Sequence, residues 1–91
     1  MSILKSGKEY KILNVTGVKD SQMPSHYSTK EAIIILQKGE ALLKMGGIDI
    51  RLLPGEFTII PAAEPHALFI KEDFEANVIM AFDSEIKFIN N

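Results

Sequence analysis

Turn-forming residues interrupt this chain about every ten residues, and the segments between them are mostly apolar and β-branched. Gly46-Gly47 is the strongest turn signal, because glycine reaches positive φ without a Cβ penalty. Ile48, Ile50 and Leu52 then alternate with other residues in the period of a half-buried strand. No segment carries the apolar stripe of an amphipathic helix. The pattern predicts an all-β fold of about eight or nine short antiparallel strands, arranged as a sandwich or barrel.

The strand and turn signals can be placed along the chain. Strands are predicted over residues 9–15, 31–36, 40–45, 48–53, 57–60, 66–71 and 74–82, with a last alternating run around Ile86 and Phe88. Further turns are predicted at Lys38-Gly39, Pro54-Gly55 and Glu72-Asp73. Residues 1–91 are expected to form a single domain, because a chain of 91 residues builds one modest core.

Charge and composition exclude several classes of function. The net charge is −2 and the ten Lys and Arg residues are scattered, which argues against nucleic acid as a partner. The absence of cysteine excludes disulfides, thiolate metal sites and thiol catalysis. The first residues lack the apolar core of a signal peptide, and the longest apolar run, 32–36, is far shorter than the roughly 20 residues that span a bilayer. We therefore expect a soluble, cytoplasmic protein without a membrane partner.

Both histidines of the chain precede or open an apolar run. His66 follows a turn glycine, a short strand and two prolines within residues 55–66, and His26 precedes the apolar run that starts after Glu31. Two histidines at strand edges and a nearby glutamate indicate one common pocket.

The segment 55–66 resembles the second motif of the cupin superfamily, G-x5-P-x-G-x2-H-x3-N. Gly55, Pro61 and His66 stand at the matching positions, whereas Ala63 replaces the middle glycine and Ile70 the final asparagine. The resemblance covers residues 20–82 and implies a small antiparallel cupin-like β-barrel, also described as a double-stranded β-helix or jelly roll.

The first cupin motif, H-x-H-x(3,4)-E-x6-G, is matched less completely. His26 and Glu31 take the places of the second histidine and the glutamate, Pro24 occupies the place of the first histidine, and Gly39 lies one residue late.

A second alignment of this motif makes His26 the first histidine and Ser28 the second, which leaves Glu31 off register and Ala32 near its place. The first alignment is preferred because it retains two types of ligand.

The resemblance implies a metal site, since cupins use three histidines and a glutamate to hold Fe, Mn, Ni, Zn or Cu. Here the implied ligands are His26, Glu31 and His66, and two imidazoles with one carboxylate can hold a divalent transition metal. A pocket without any metal is an equally consistent interpretation. As a ligand, Glu31 has to point inward, on the same face as Ile33 and Ile35.

Apolar residues are candidates for the wall of the pocket, since small barrels fill their interior or hold one small ligand. The candidates for ligand contact are Met45, Phe57 and Met80, together with Phe82. The same residues also suit an ordinary packed core.

Three functions follow from these observations. The leading one is binding of a small polar ligand, with His26, Glu31 and His66 at the floor of the barrel. The second is a metal-dependent enzyme of the dioxygenase or isomerase type, and whether the chain is an enzyme stays open. The third is a structural or interaction module with a filled barrel and both histidines turned outward.

A homodimer is expected in each case, because a small chain gains stability by burying surface against a second copy. Pairing through edge strands is expected at the apolar chain ends, which contain Ile3, Leu4, Ile86, Phe88 and Ile89.

Overall fold

A computed structural model describes residues 1–89, which form eight β-strands and no helix. The strands are β1 (Ser2–Ser6), β2 (Tyr10–Gly17), β3 (Gln22–Ser28), β4 (Ala32–Met45), β5 (Ile48–Leu52), β6 (Phe57–Ile60), β7 (His66–Ala81) and β8 (Ile86–Phe88). Every pairing between them is antiparallel, so the all-β prediction is confirmed. Residues 1–89 contain no helix that is long and apolar enough to cross a membrane.

Two long strands, β4 and β7, connect the whole sheet. The first half-sheet has the order β1-β2-β7-β4-β6 and uses residues 74–81 of β7 and 32–36 of β4. The second half-sheet has the order β8-β3-β7-β4-β5 and uses residues 66–70 of β7 and 41–45 of β4. Buried side chains of both halves pack on one another, so the curled sheet encloses its own core.

The predicted turns at Lys38-Gly39 and Glu72-Asp73 are not chain reversals. Both segments lie inside the long strands, where the β4–β7 register shifts between Leu36 and Ala41. Gly39 has a φ of +84°, the signature of a bulge that bends the strand from one half-sheet into the other. A turn glycine and a bulge glycine both need access to positive φ, so the sequence alone does not distinguish a turn from a bulge at Gly39.

The Gly46-Gly47 hairpin is as predicted. Met45 pairs with Ile48, and the two glycines between them have φ values of +60° and +76°. Positive φ at both central residues defines the tight turn whose twist matches that of the flanking strands.

Strands β1 and β3 were not predicted. Strand β3 contains Pro24, which cannot donate a backbone hydrogen bond, and the β3–β7 register shifts between Met23 and His26. The irregularity absorbs the proline and lets the strand continue.

The core is densely packed at one end of the sheet only. A large cluster surrounds Leu36, Leu43 and Ile70, all of which are fully buried. A separate small cluster, Leu13, Ala32 and Met80, lies at the other end. The space beside this small cluster is where the two histidines are found.

Candidate functional site

Strand register brings the two histidines together. His26 on β3 lies directly opposite His66 on β7, and the ring centroids are 4.3 Å apart at an interplanar angle of 63°. Only 7% of His26 and 5% of His66 is exposed. The ring of Phe88, from β8, lies 5.4 Å from that of His26 and closes the outer side of the pair.

Each imidazole is held by the backbone carbonyl two residues before it. His26 Nδ1 lies 2.7 Å from the Pro24 oxygen, and His66 Nδ1 lies 2.9 Å from the Glu64 oxygen. A carbonyl oxygen can only accept a hydrogen bond, so Nδ1 donates in both rings. The neutral form of each ring therefore keeps its lone pair on Nε2.

The histidines form part of the wall of an inner cavity of about 40 Å³. Its remaining wall is mostly apolar and comes from both half-sheets, and it includes Leu13, Ile34, Leu68, Met80 and Phe88. The polar side chains in the wall are His26, His66 and Ser28. Ser28 lies two residues after His26 on β3, so the strand period places both on the inner face.

An outer trough of about 620 Å³ adjoins the inner cavity. The two spaces share Met1, Leu13, Met80 and Ile86 as walls. The rim of the trough is polar and is formed by Lys11, Ser84, Glu85 and Lys87. Ile3 and Ile86, which were expected at a dimer edge, lie along this trough.

Glu31 does not lie with the histidines. It is exposed and directly precedes β4, in which Ala32, Ile34 and Leu36 are the buried residues. The inner face of β4 is therefore the opposite of the predicted one, and Glu31 shares the outer face with Ile33 and Ile35.

The four predicted wall residues are in different places, and Phe82, directly after β7, is 52% exposed. Met80 is 2% exposed and lines both the cavity and the trough. Met45 pairs with His66 across β4 and β7 and lies outside the inner cavity, in a surface depression that His66 also lines. Phe57 is 71% exposed on the outside of β6.

The fit of a metal ion can be judged from the donor atoms present. In both histidines a carbonyl group fixes Nδ1 and leaves the Nε2 lone pair free. Histidines that ligate metals commonly have this arrangement. Protein metal sites of this type use at least three protein ligands, however, and residues 1–89 contain no cluster of three His, Cys, Asp or Glu side chains that could hold an ion. The described residues therefore do not complete the predicted set, and we derive no chemical step through a metal.

Burial favours the neutral form of His66. Desolvation lowers the pKa of His66 below its usual value of 6.5, and the neighbouring His26 lowers it further. The hydrogen bond to the Glu64 carbonyl opposes this shift but does not cancel it. At neutral pH His66 therefore presents a hydrogen-bond acceptor at Nε2.

We expect the free energy of unfolding to fall as the pH is lowered from about 7.5 to about 5.5. The pKa of His66 is lower in the folded protein, so the unfolded chain binds more protons in this pH window. Acidification therefore stabilises the unfolded state relative to the folded state. Asp83 and Glu85 also have lowered pKa values, but their usual values of 3.8 and 4.5 place their titration below this window. Urea unfolding at both pH values measures the change, and His66→Leu should reduce it. An equal change in that variant would contradict the assignment to His66.

The comparisons with known proteins agree with this architecture. A family model described as a cupin domain matches residues 15–82. No curated protein matches the sequence.

Three solved structures illustrate the structural likeness. A cupin superfamily protein from Desulfitobacterium hafniense DCB-2 is 20% identical, with a TM-score of 0.81, over 89% of this chain and 74% of that chain. A DMSP lyase from Ruegeria pomeroyi DSS-3 is 28% identical, with a TM-score of 0.78, over 85% of this chain and 40% of that chain. Salicylate 1,2-dioxygenase from Pseudoaminobacter salicylatoxidans is 12% identical, with a TM-score of 0.81, over 92% of this chain and 25% of that chain. The predicted fold class, a double-stranded β-helix, is confirmed.

Proposed function

The chain belongs to the cupin family, as the resemblance predicted, and from this premise we propose that it binds a small hydroxylated organic molecule beside His26 and His66. The observation that carries the proposal is the pair of histidines, each with Nδ1 held by a carbonyl group, in the wall of a mostly apolar cavity. An acceptor among mostly apolar side chains favours a ligand that donates a hydrogen bond to it, because that bond is stronger where the local dielectric is low.

The size of the two spaces supports a ligand with a small head group. One water needs about 10–15 Å³ of such space, so the inner cavity of about 40 Å³ accommodates only a few non-hydrogen atoms. The body of the ligand would then lie in the outer trough, against the shared apolar walls formed by Leu13, Met80 and Ile86.

The charge state of the site favours a neutral head group. Neutral imidazoles with hydrogen on Nδ1 accept at Nε2, and a hydroxyl group donates to them. A carboxylate has no hydrogen to donate, and its charge would be desolvated without a cation beside it. An alcohol or a phenol is therefore the favoured class.

The metal-dependent enzyme is the second candidate. The fixed Nδ1 hydrogens favour it, because ligating histidines commonly have this arrangement. The distance of Glu31 from the pair weighs against it. We therefore place ligand binding first and leave catalysis outside the proposal.

The filled-barrel module is the weakest candidate. It requires both histidines to point outward and the interior to be solid. His26 and His66 are instead buried and face a cavity.

Phenol and toluene together test the proposed function, since they differ mainly in the hydrogen-bond donor. We expect phenol to bind more tightly by about threefold to tenfold, the usual value of one hydrogen bond. In His66→Leu the preference for phenol should disappear. Met45→Leu is the matched control, because Met45 pairs with His66 but lies outside the cavity. Titrations followed by NMR chemical shifts measure both affinities.

Two results would contradict the proposal. Binding of neither probe to the wild type would exclude a binding pocket of this kind. An unchanged preference for phenol in His66→Leu would place the binding elsewhere.

A further inference from the structure

One lysine lies on the inner face of the barrel, where the outer trough meets the inner cavity. Lys11 on β2 lies directly opposite Met80 on β7 and precedes Leu13 by two residues. Met80 and Leu13 are buried, and both line the trough and the cavity. Opposite residues of an antiparallel pair, like alternate residues of one strand, point to the same side of a sheet. Lys11 is therefore a charged residue in an inner row that continues with Leu13 and Val15.

The ammonium group of Lys11 is held in place at the rim of the trough. Its Nζ donates a hydrogen bond of 2.7 Å to the backbone oxygen of Ser84. Ser84 is 2% exposed and is itself fixed, because its backbone nitrogen donates to the Ala81 oxygen and its Oγ accepts from the Lys30 nitrogen. An ammonium group has three hydrogens to donate, and the bond to Ser84 uses one of them. Lys11 can therefore bind a ligand from a position that is already set.

The acidic side chains around the trough are paired with other lysines. Glu85, which lines the trough, forms an ion pair of 2.8 Å with Lys87. Asp83, two residues earlier, forms an ion pair of 2.8 Å with Lys30. Lys11 forms no ion pair within residues 1–89. Among the described residues, the side chains that line the trough include two lysines and one carboxylate, so the trough has one positive charge in excess.

We propose that the ligand is a hydroxy acid, with its carboxylate at Lys11 in the outer trough and its hydroxyl group at the histidine pair. This inference rests on the proposed function, which places a hydroxyl group beside His26 and His66. The apolar body of the ligand would lie between these two ends, against Leu13 and Met80, which the two spaces share as walls.

The charges of the two spaces set the orientation of the ligand. Among the described residues, the wall of the inner cavity contains no Lys or Arg, so a carboxylate placed there would lose its hydration without gaining a cation. In the trough the same carboxylate meets the ammonium group of Lys11, which forms a charge-assisted hydrogen bond with it.

The single excess charge of the trough also favours a carboxylate over a phosphate. A phosphate monoester carries about 1.5 to 2 negative charges at neutral pH, whereas a carboxylate carries one. Lys11 supplies one compact positive charge, without the planar fork that arginine offers to a phosphate. A monoanion is therefore the matching partner.

Hydroxy acids compared with their amides test the carboxylate site. The probes are para-hydroxybenzoate, para-hydroxyphenylacetate and para-hydroxyphenylpropionate, each with its primary amide, which has nearly the same shape and no charge. We expect at least one acid to bind the wild type about tenfold more tightly than its amide, a value between that of an exposed ion pair and that of a buried charge-assisted hydrogen bond. Titrations followed by NMR chemical shifts measure each dissociation constant.

Substitutions of lysine assign the preference for the acid to one residue. Lys11→Met removes the charge and keeps a side chain of similar length, so acid and amide should then bind equally. Lys11→Arg keeps the charge and should keep the preference. Lys5→Met is the matched control, because Lys5 is exposed and lines a separate surface depression, so the preference should persist. A cooperative unfolding transition in urea checks that each variant folds.

Three results would overturn the carboxylate site. One is that none of the three acids binds more tightly than its amide. Another is an unchanged preference for the acid in Lys11→Met. The third is a preference lost equally in Lys5→Met, which would assign it to the net charge of the protein.

The comparison of phenol with toluene keeps this test separate from the test of the proposed function, because neither compound carries a charge. Equal binding of phenol and toluene by the wild type would contradict the hydroxyl site at the histidines. A preference for phenol without a preference for any acid would instead overturn only the carboxylate site at Lys11.

Discussion

Replacing Gly39 with alanine is expected to destabilise the protein by about 3 kcal/mol. A Cβ at this position would lie 2.2 Å from the Asp73 carbonyl oxygen and 2.8 Å from the Glu72 carbonyl oxygen. Both atoms belong to the backbone of β7, which cannot move aside without disturbing the β4–β7 pairing. The residue also has a φ of +84°, which costs an alanine about 1–2 kcal/mol by itself.

Gly47→Ala separates these two effects. Gly47 has a similar φ of +76°, but a Cβ there would have no heavy atom within 4 Å. The expected loss is only the conformational one of about 1–2 kcal/mol. Chemical denaturation of both variants gives the difference in the free energy of unfolding. Equal losses in the free energy of unfolding would show that the β7 backbone moves aside at the bulge at little cost. That result would contradict the steric effect expected at Gly39.

Leu36→Ala is expected to cost about 3–5 kcal/mol, whereas Leu13→Ala should cost less than about 2 kcal/mol. Both leucines are buried, with exposed fractions of 0% and 5%. Leu36 lies inside the large packed cluster, so its truncation leaves an empty space. Leu13 already borders the inner cavity and the outer trough, so fewer contacts are lost and water can reach the site.

This comparison tests whether one end of the barrel is a binding pocket or ordinary core. Urea unfolding of the two variants measures it, and both changes remove the same atoms. If Leu13→Ala were as destabilising as Leu36→Ala, the end that contains the histidines would be as tightly packed as the other.

Much of the fold follows from local signals in the sequence. The Gly46-Gly47 hairpin and strand β6 have the predicted bounds, because two glycines, Pro54-Gly55 and Pro61 delimit them strongly. The continuous strands β4 and β7 could not be predicted, since a bulge and a turn share the same glycine signal. Their bending depends on the pairing of residues more than twenty positions apart.

The site was predictable only in part, because the sequence does not show which alternate residues of β4 face the core. His26 and His66 are the only histidines in the sequence, and each follows a proline closely. His66 opens β7 as expected, whereas His26 lies inside β3 and not at the edge of a strand. Glu31 was expected to face inward, but residues 32–36 are all apolar, so the sequence does not show which alternate set is buried. The pairing of β4 with β7 decides it, and Ala32 rather than Ile33 faces the core.

We propose that both histidines offer Nε2 to a ligand in the inner cavity. Long-range ¹H–¹⁵N NMR spectra of the imidazole rings test it directly, because the chain has only two histidines. We predict that both rings carry hydrogen on Nδ1 at neutral pH, and that phenol shifts their Nε2 signals whereas toluene does not. Rings that carry hydrogen on Nε2, or Nε2 signals that do not shift at saturating phenol, would show that the histidines do not accept a hydrogen bond from the ligand.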